Sequence, residues 1–212
     1  MAEPKIILYV DSTFASPYAM SSYVALCEKN LAFEVKTLNL EKNEHLATAY
    51  SNLSLTRRVP TLIHDNFRLS ESSAISEYLE EAFPAPQYPQ IYPSEIRDRA
   101  RAREIQAWLR SDFIPIREQR STAVIFFKPS DKALTTEALR SAEKFFHAAD
   151  RLIGNDRENI FGDWCIADAD LALMLNRLVM NGDDVPEKLL AYADHQWQRN
   201  SIQRWMGQPR SI

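Results

Sequence analysis

Four prolines, Pro84, Pro86, Pro89 and Pro93, fall within ten residues of a 212-residue chain and divide it into stretches of different texture. Proline lacks a backbone donor and blocks continued helix, so this stretch reads as an extended connector. Upstream, Lys5 to Val10 is an apolar run of strand-favouring residues, and Phe33 to Leu38 alternates Phe33, Val35 and Thr37 against Glu34 and Lys36. Between them Pro17, with Ser16 just before it, opens a helix whose core stripe is Tyr23, Val24, Leu26 and Cys27. Strand, helix, strand predicts a parallel pair with a right-handed crossover. Val59 to His64 and Phe67 to Leu69 flank Asp65-Asn66, a two-residue turn signal that predicts a hairpin. Glu71 to Phe83 then reads as a helix with Ile75, Tyr78, Leu79 and Phe83 on one face. Downstream only helices are expected, over Ser94 to Glu118, Thr135 to Ile153, Ala167 to Met180, Pro186 to Tyr192 and Gln198 to Met206. The expected organisation is an α/β domain over 1–83, a connector over 84–93 and an all-α domain over 94–212.

Composition narrows the function classes. With 45% apolar residues, a chain of this length buries a core without disulfide or metal staples. A formal charge of -4 argues against phosphate-driven nucleic-acid binding. Only four glycines are present and no phosphate-wrapping glycine motif occurs, which disfavours nucleotide chemistry. Cys27 and Cys165, the two cysteines, form no CxxC pair, so neither a metal site nor a disulfide framework is expected and the compartment reads as reducing. The start, Met-Ala-Glu-Pro-Lys, leads straight into strand-like sequence, and no apolar run is long enough to span a bilayer. The expectation is a cytoplasmic protein without membrane partners. Arg97, Arg99, Arg101 and Arg103 alternate with Glu95, Asp98 and Glu104, which reads as a solvated or subunit-facing helix surface.

Four short motifs carry more specific information: Ser16-Pro17-Tyr18 entering the first helix, Val59-Pro60-Thr61-Leu62 opening the third strand, Glu71-Ser72-Ser73-Ala74-Ile75 opening the next helix, and Cys165-Ile166-Ala167-Asp168 in the second domain. In this order of elements, the chain resembles the cytosolic glutathione transferase family, most of all its serine-type members, over essentially its whole length. The resemblance implies a thioredoxin-like α/β N-terminal domain and an all-α C-terminal domain. It implies glutathione as co-substrate with no tightly bound cofactor, and a C2 homodimer.

Read alone, Ser16 is an N-cap, its oxygen satisfying an orphan backbone N–H. By resemblance its hydroxyl donates to the sulfur of glutathione, with the positive end of the helix behind it. A free thiol near pKa 8.5 is mostly protonated at neutral pH; bringing it to about 6.5 asks for roughly 2.7 kcal/mol, within reach of one hydrogen bond to an anion plus a helix terminus. Ser16 is the catalytic candidate. Ser12 and Thr13, farther from the helix, are its rivals. Val59-Pro60 alone is an ordinary pair before a strand; by resemblance the bond is cis and the Val59 backbone pairs with the cysteinyl backbone of glutathione as an added strand. Glu71 and Ser72 suit a helix start on capping and dipole grounds, and by resemblance hold the γ-glutamyl end of the tripeptide. Arg58, by default a surface arginine, is by resemblance a partner for the glycyl carboxylate.

Cys165 stands where the family has Ser or Thr, so half of the capping box with Asp168 is expected to be lost, and Cys165 is read as structural. No cysteine lies between Ser12 and Pro17, which disfavours mixed-disulfide catalysis, and Cys27 is expected buried and inert. The serine pair plus cysteine usual in maleylacetoacetate isomerases is absent from this loop. Phe14, Tyr18, Trp108 and Phe113 are candidates for a second-substrate wall, against the more ordinary reading of aromatic core. The resulting expectation is addition of the glutathione thiolate to a small hydrophobic electrophile, or reduction of a hydroperoxide. The alternatives are a non-enzymatic interaction protein on the same fold and a glutathione-dependent disulfide reductase.

Overall fold

The computed structural model describes residues 5–155 and 158–210; the reading of Met1 to Pro4 lies outside them. The chain forms two compact units. One runs up to Ile91 and regains the chain from Arg204 onward; the other is Tyr92–Gln203.

The first unit carries a four-stranded sheet in the order β2-β1-β3-β4, with β1 Ile6–Asp11, β2 Glu34–Leu38, β3 Thr61–His64 and β4 Phe67–Ser70. As the strand–helix–strand order and the Asp65-Asn66 turn predict, β1 and β2 are parallel and β3 and β4 form an antiparallel hairpin; β3 also pairs antiparallel with β1. At the hairpin turn Asp65 adopts φ +52°, a conformation that short polar Asp tolerates.

Helix α1, Pro17–Glu28, is buried all along Ala19–Leu26 rather than on one stripe, since it packs against both β1 and α3, Ser72–Ala82. Cys27 is therefore half-buried, not fully enclosed, and burial raises its thiol pKa. Between β2 and β3 lies one turn of helix, α2 Thr48–Ser51. Where α1 ends, fully buried Lys29 pairs with Glu80 at 2.6 Å and donates to the Phe83 carbonyl at 2.8 Å. Glu80 also accepts the Ile91 N–H at 3.0 Å. One buried ion pair thereby ties the end of α1, α3 and Ile91 together within this unit.

The second unit is helical. The single helix expected over Ser94 to Glu118 is two, α4 Ile96–Ser111 and α5 Ile114–Gln119. Pro115 is the physical reason: it cannot donate one turn back, and the break is taken up at Asp112 and at Phe113, φ +63°. A short α6, Ala123–Phe126, was not expected from the sequence; it is followed by α7 Thr136–Ile153, α8 Ile166–Val179, α9 Glu187–Trp197 and α10 Asn200–Met206, the last crossing the unit boundary.

Helix α8 is buried along almost its whole length and packs against α4, α6 and α9. Its capping box is complete, correcting the expectation that Cys165 removes half of it. The Cys165 sulfur faces the Asp168 N–H, and the Asp168 carboxylate accepts the Cys165 N–H at 2.9 Å. Asp168 also accepts from Ile160 N and from Tyr192 Oη, both at 2.8 Å. Burial, then the Asp168 charge, pushes the Cys165 thiol well above its usual pKa, in keeping with a packing role. Among the described residues no helix is long and apolar enough to cross a membrane, and no group of acidic, histidine and cysteine side chains is placed to hold a metal ion.

Candidate functional site

The register of the sheet brings three distant segments to one end of the first unit. Tyr9 lies opposite Thr61, and Thr61 opposite Ser70. The segment after β1 (Ser12 to Ser16), the segment before β3 (Arg58 to Pro60) and the segment after β4 (Glu71, Ser72) therefore leave the sheet at the same edge. These segments hold all the predicted site residues.

The β1–α1 segment is organised by Asp11, a residue the sequence reading passes over. Asp11 is 4% exposed, and its carboxylate accepts three donors: Thr13 Oγ1 at 2.7 Å, Ala15 N at 2.7 Å and Ser16 N at 3.1 Å. A buried charge is tolerated when donors surround it, and these donors hold the segment in one path. The available signal is the sequence Asp-Ser-Thr at the end of an apolar strand, an Asx-type turn pattern.

Ser16 is half-buried and caps α1, its Oγ accepting the Ala19 N–H at 3.2 Å. A hydroxyl has one donor and two acceptor sites, so capping leaves the Ser16 hydrogen available to an incoming anion. Thr13 is different, since its hydroxyl hydrogen is directed to Asp11. That contact separates Thr13 from Ser16 as a donor; Ser12 is half-buried and its main chain is tied to the Leu38 carbonyl at 2.8 Å.

The Val59-Pro60 peptide is cis, matching the expectation for this pair. Behind it lies a buried cluster of hydroxyls that sequence patterning does not reveal. Tyr50 Oη donates to the Arg58 carbonyl at 2.7 Å and lies 2.9 Å from Thr61 Oγ1; Ser54 Oγ lies 2.9 Å from Thr61 Oγ1 and 3.0 Å from Ser70 Oγ. Burial raises the Tyr50 pKa and keeps it a donor. The cluster fixes the Arg58 backbone to the end of β4, just before Glu71. The Arg58 side chain is exposed. Glu71 is exposed with φ +73°, an unusual conformation for a residue with a side chain, and it precedes buried Ser72, the first residue of α3. The α3 N–H groups thus open at the same edge as those of α1.

The aromatic candidates divide. Phe14 is buried in the first unit and Phe113 in the second, where Phe113 packs on Trp108 and Phe145; Tyr18 is exposed. Phe14 and Phe113 are core, the more ordinary of the two readings.

Residues 11–87 match the family described as "Glutathione S-transferase, N-terminal domain", and residues 95–209 match "Glutathione S-transferase, C-terminal domain". The chain is 34% identical over 101 residues to glutathione S-transferase theta-1 of Mus musculus, covering 48% of this chain and 40% of that protein's length. It is 30% identical over 180 residues to maleylacetoacetate isomerase of Dictyostelium discoideum, covering 82% of this chain and 78% of the relative. A crystal structure of a glutathione transferase homolog from Burkholderia gl BGR1, with bound glutathione, has a TM-score of 0.77 at 49% identity, covering 95% of both chains.

Proposed function

The chain belongs to the glutathione S-transferase family, and from that premise we propose that it binds glutathione along the Ser16, Pro60 and Ser72 edge of the first unit. Ser16 then holds the sulfur as thiolate by donating its hydroxyl hydrogen. Val59 offers its main chain, Glu71 and Ser72 receive the γ-glutamyl end, and Arg58 meets the glycyl carboxylate. The nucleophile is the bound sulfur, so the protein needs no reactive side chain of its own. With a carbon electrophile the thiolate forms a C–S bond and the displaced group leaves with its electron pair. With a hydroperoxide the sulfur attacks the terminal oxygen and the O–O bond breaks. The alcohol departs, and a second glutathione converts the sulfenic acid to disulfide and water. A cytoplasmic C2 homodimer acting on a small hydrophobic acceptor completes the reading.

The observation that carries it is the Ser16 hydroxyl, which accepts the Ala19 N–H at the α1 cap, a contact that does not use its own hydrogen. The test is calorimetric glutathione binding, with turnover of a panel of electrophiles, hydroperoxides and a mixed disulfide by wild type and Ser16→Ala. Retained binding with turnover lowered about ten-fold or more supports the reading. Unchanged turnover moves the role to Ser12, and absent binding favours an interaction protein on this fold. A second reading, isomerisation of a small unsaturated acid, is favoured by the likeness to the Dictyostelium isomerase over most of the chain. Maleylacetoacetate therefore belongs in the panel.

A further inference from the structure

The end of the chain meets the Ser12–Ser16 segment within the first unit. Trp205, in the last turn of α10, is fully buried there. Its ring centroid lies 5.2 Å from that of Phe14 in an edge-on arrangement at 71°, and 5.3 Å from that of Tyr23 on α1 at 60°. Phe14 stands two residues before Ser16 and holds φ +49°, where a residue with a Cβ is disfavoured. Such a conformation persists only when its surroundings over-determine it. Two restraints act on Phe14: its N–H donates to the Asp11 carbonyl at 3.1 Å, and its ring is seated against Trp205.

Trp205 is itself held in place. Arg210 folds back on the end of α10 and donates to the Trp205 carbonyl at 2.9 Å, the Met206 carbonyl at 2.7 Å and the Gln208 carbonyl at 3.1 Å. These bonds satisfy carbonyls that a helix end leaves open. The Arg210 guanidinium also feels the Asp11 charge, which opposes the lowering of its pKa by burial. Among the described residues the Trp205 indole N–H has no hydrogen-bond partner, and the side chain meets Phe14 and Tyr23 through its ring.

We propose that Trp205 is a positioning residue for Ser16: it seats Phe14 in its left-handed conformation and so sets where the Ser16 hydroxyl points, without touching glutathione. The proposal rests on the Ser16 reading above. It gives the final segment of the chain a share in thiolate stabilisation on the first unit.

The experiment is a double-mutant cycle of Trp205→Leu and Ser16→Ala in the full-length protein. It reads kcat, KM for glutathione and the ultraviolet thiolate absorbance of bound glutathione at neutral pH. Trp205→Leu should lower kcat roughly ten-fold and reduce the thiolate signal while KM moves less than about three-fold. In the Ser16→Ala background it should add less than about two-fold, because it acts through that hydroxyl. Trp205→Phe keeps a flat ring beside Phe14 but is one fused ring smaller and lacks the indole N–H, so it should retain more of kcat than Trp205→Leu, within about three-fold of wild type. Phe14→Leu removes the same contact from the other side and should reproduce the kcat loss, which keeps the test decisive where Trp205→Leu does not fold. A folded Trp205→Leu protein with unchanged kcat and thiolate signal overturns the proposal, as does an equal loss in both backgrounds. If Ser16→Ala alone is without effect, the Ser16 reading fails and not merely this inference.

Discussion

Asp11 holds Ser16 through the main chain: its buried carboxylate accepts the Ser16 N–H at 3.1 Å, while the Ser16 hydroxyl turns to cap α1. One acidic side chain thus sets the backbone and leaves the neighbouring alcohol to the helix end and to a ligand. Asn at position 11 would keep one acceptor oxygen and turn an NH2 toward donors that need a partner. Asp11→Asn should therefore cost about 2–3 kcal/mol in urea unfolding, the penalty for buried donors left unsatisfied, and should lower turnover as well. Thr13→Val removes one of the three donors and should cost about 1 kcal/mol, with a smaller loss of turnover than Ser16→Ala.

Ser16 carries a structural and a chemical role that different substitutions separate. Ser16→Ala should destabilise the protein by about 1 kcal/mol through the lost cap and also lower turnover. Ser16→Asp should hold stability at or above wild type, since aspartate caps well and suits the positive helix end. Turnover should nevertheless be lost, because a carboxylate has no hydrogen to give a thiolate and repels it. Thermal or urea denaturation alongside initial rates distinguishes the two effects.

The Lys29–Glu80 pair is enclosed, at 0% and 5% side-chain exposure. Removing one partner from such a pair leaves a buried charge uncompensated, so Lys29→Met should cost about 3–5 kcal/mol. Adding Glu80→Gln removes that charge while keeping an acceptor for the Ile91 N–H, and should recover much of the loss. Unfolding midpoints of both single variants and the double variant measure the recovery.

Asp112 sits at the break between α4 and α5. The hydrogen bond from Lys144, followed by that from the Phe113 N–H, holds its pKa below the usual carboxylate value. A group whose folded pKa is depressed contributes stability above its unfolded value and loses it as pH falls through the folded one. Acidification from the ordinary carboxylate range down to the lower folded value should therefore remove a contribution of under about 1 kcal/mol, small because the pair is solvent-screened. Lys144→Met should flatten that part of a stability–pH curve, and added salt should do so in part.

The order of elements, the connector, the hairpin at Asp65-Asn66 and the cap at Ser16 are legible in the chain because each depends on residues a few positions apart. Periodicity gives the helices, and turn and cap chemistry gives their ends. The expected helix through Pro115 shows how an apolar pattern can override a local breaker on reading. At Cys165 the sulfur takes the place of the usual hydroxyl oxygen, so the box closes where residue identity alone suggests that it opens.

Sequence alone thus determines the parallel pair followed by a hairpin, the all-helical second unit and the candidates Ser16, Val59-Pro60 and Glu71-Ser72. Only the tertiary structure decides that Thr13 spends its hydrogen on Asp11, that Tyr50, Ser54, Thr61 and Ser70 share one buried cluster, and that Trp205 reaches Phe14. The physical reason is that backbone propensity and capping act over one or two turns, whereas the partner of a buried polar group or ring is chosen by where the folded backbone returns. Nothing in the spacing of such residues along the chain specifies that choice.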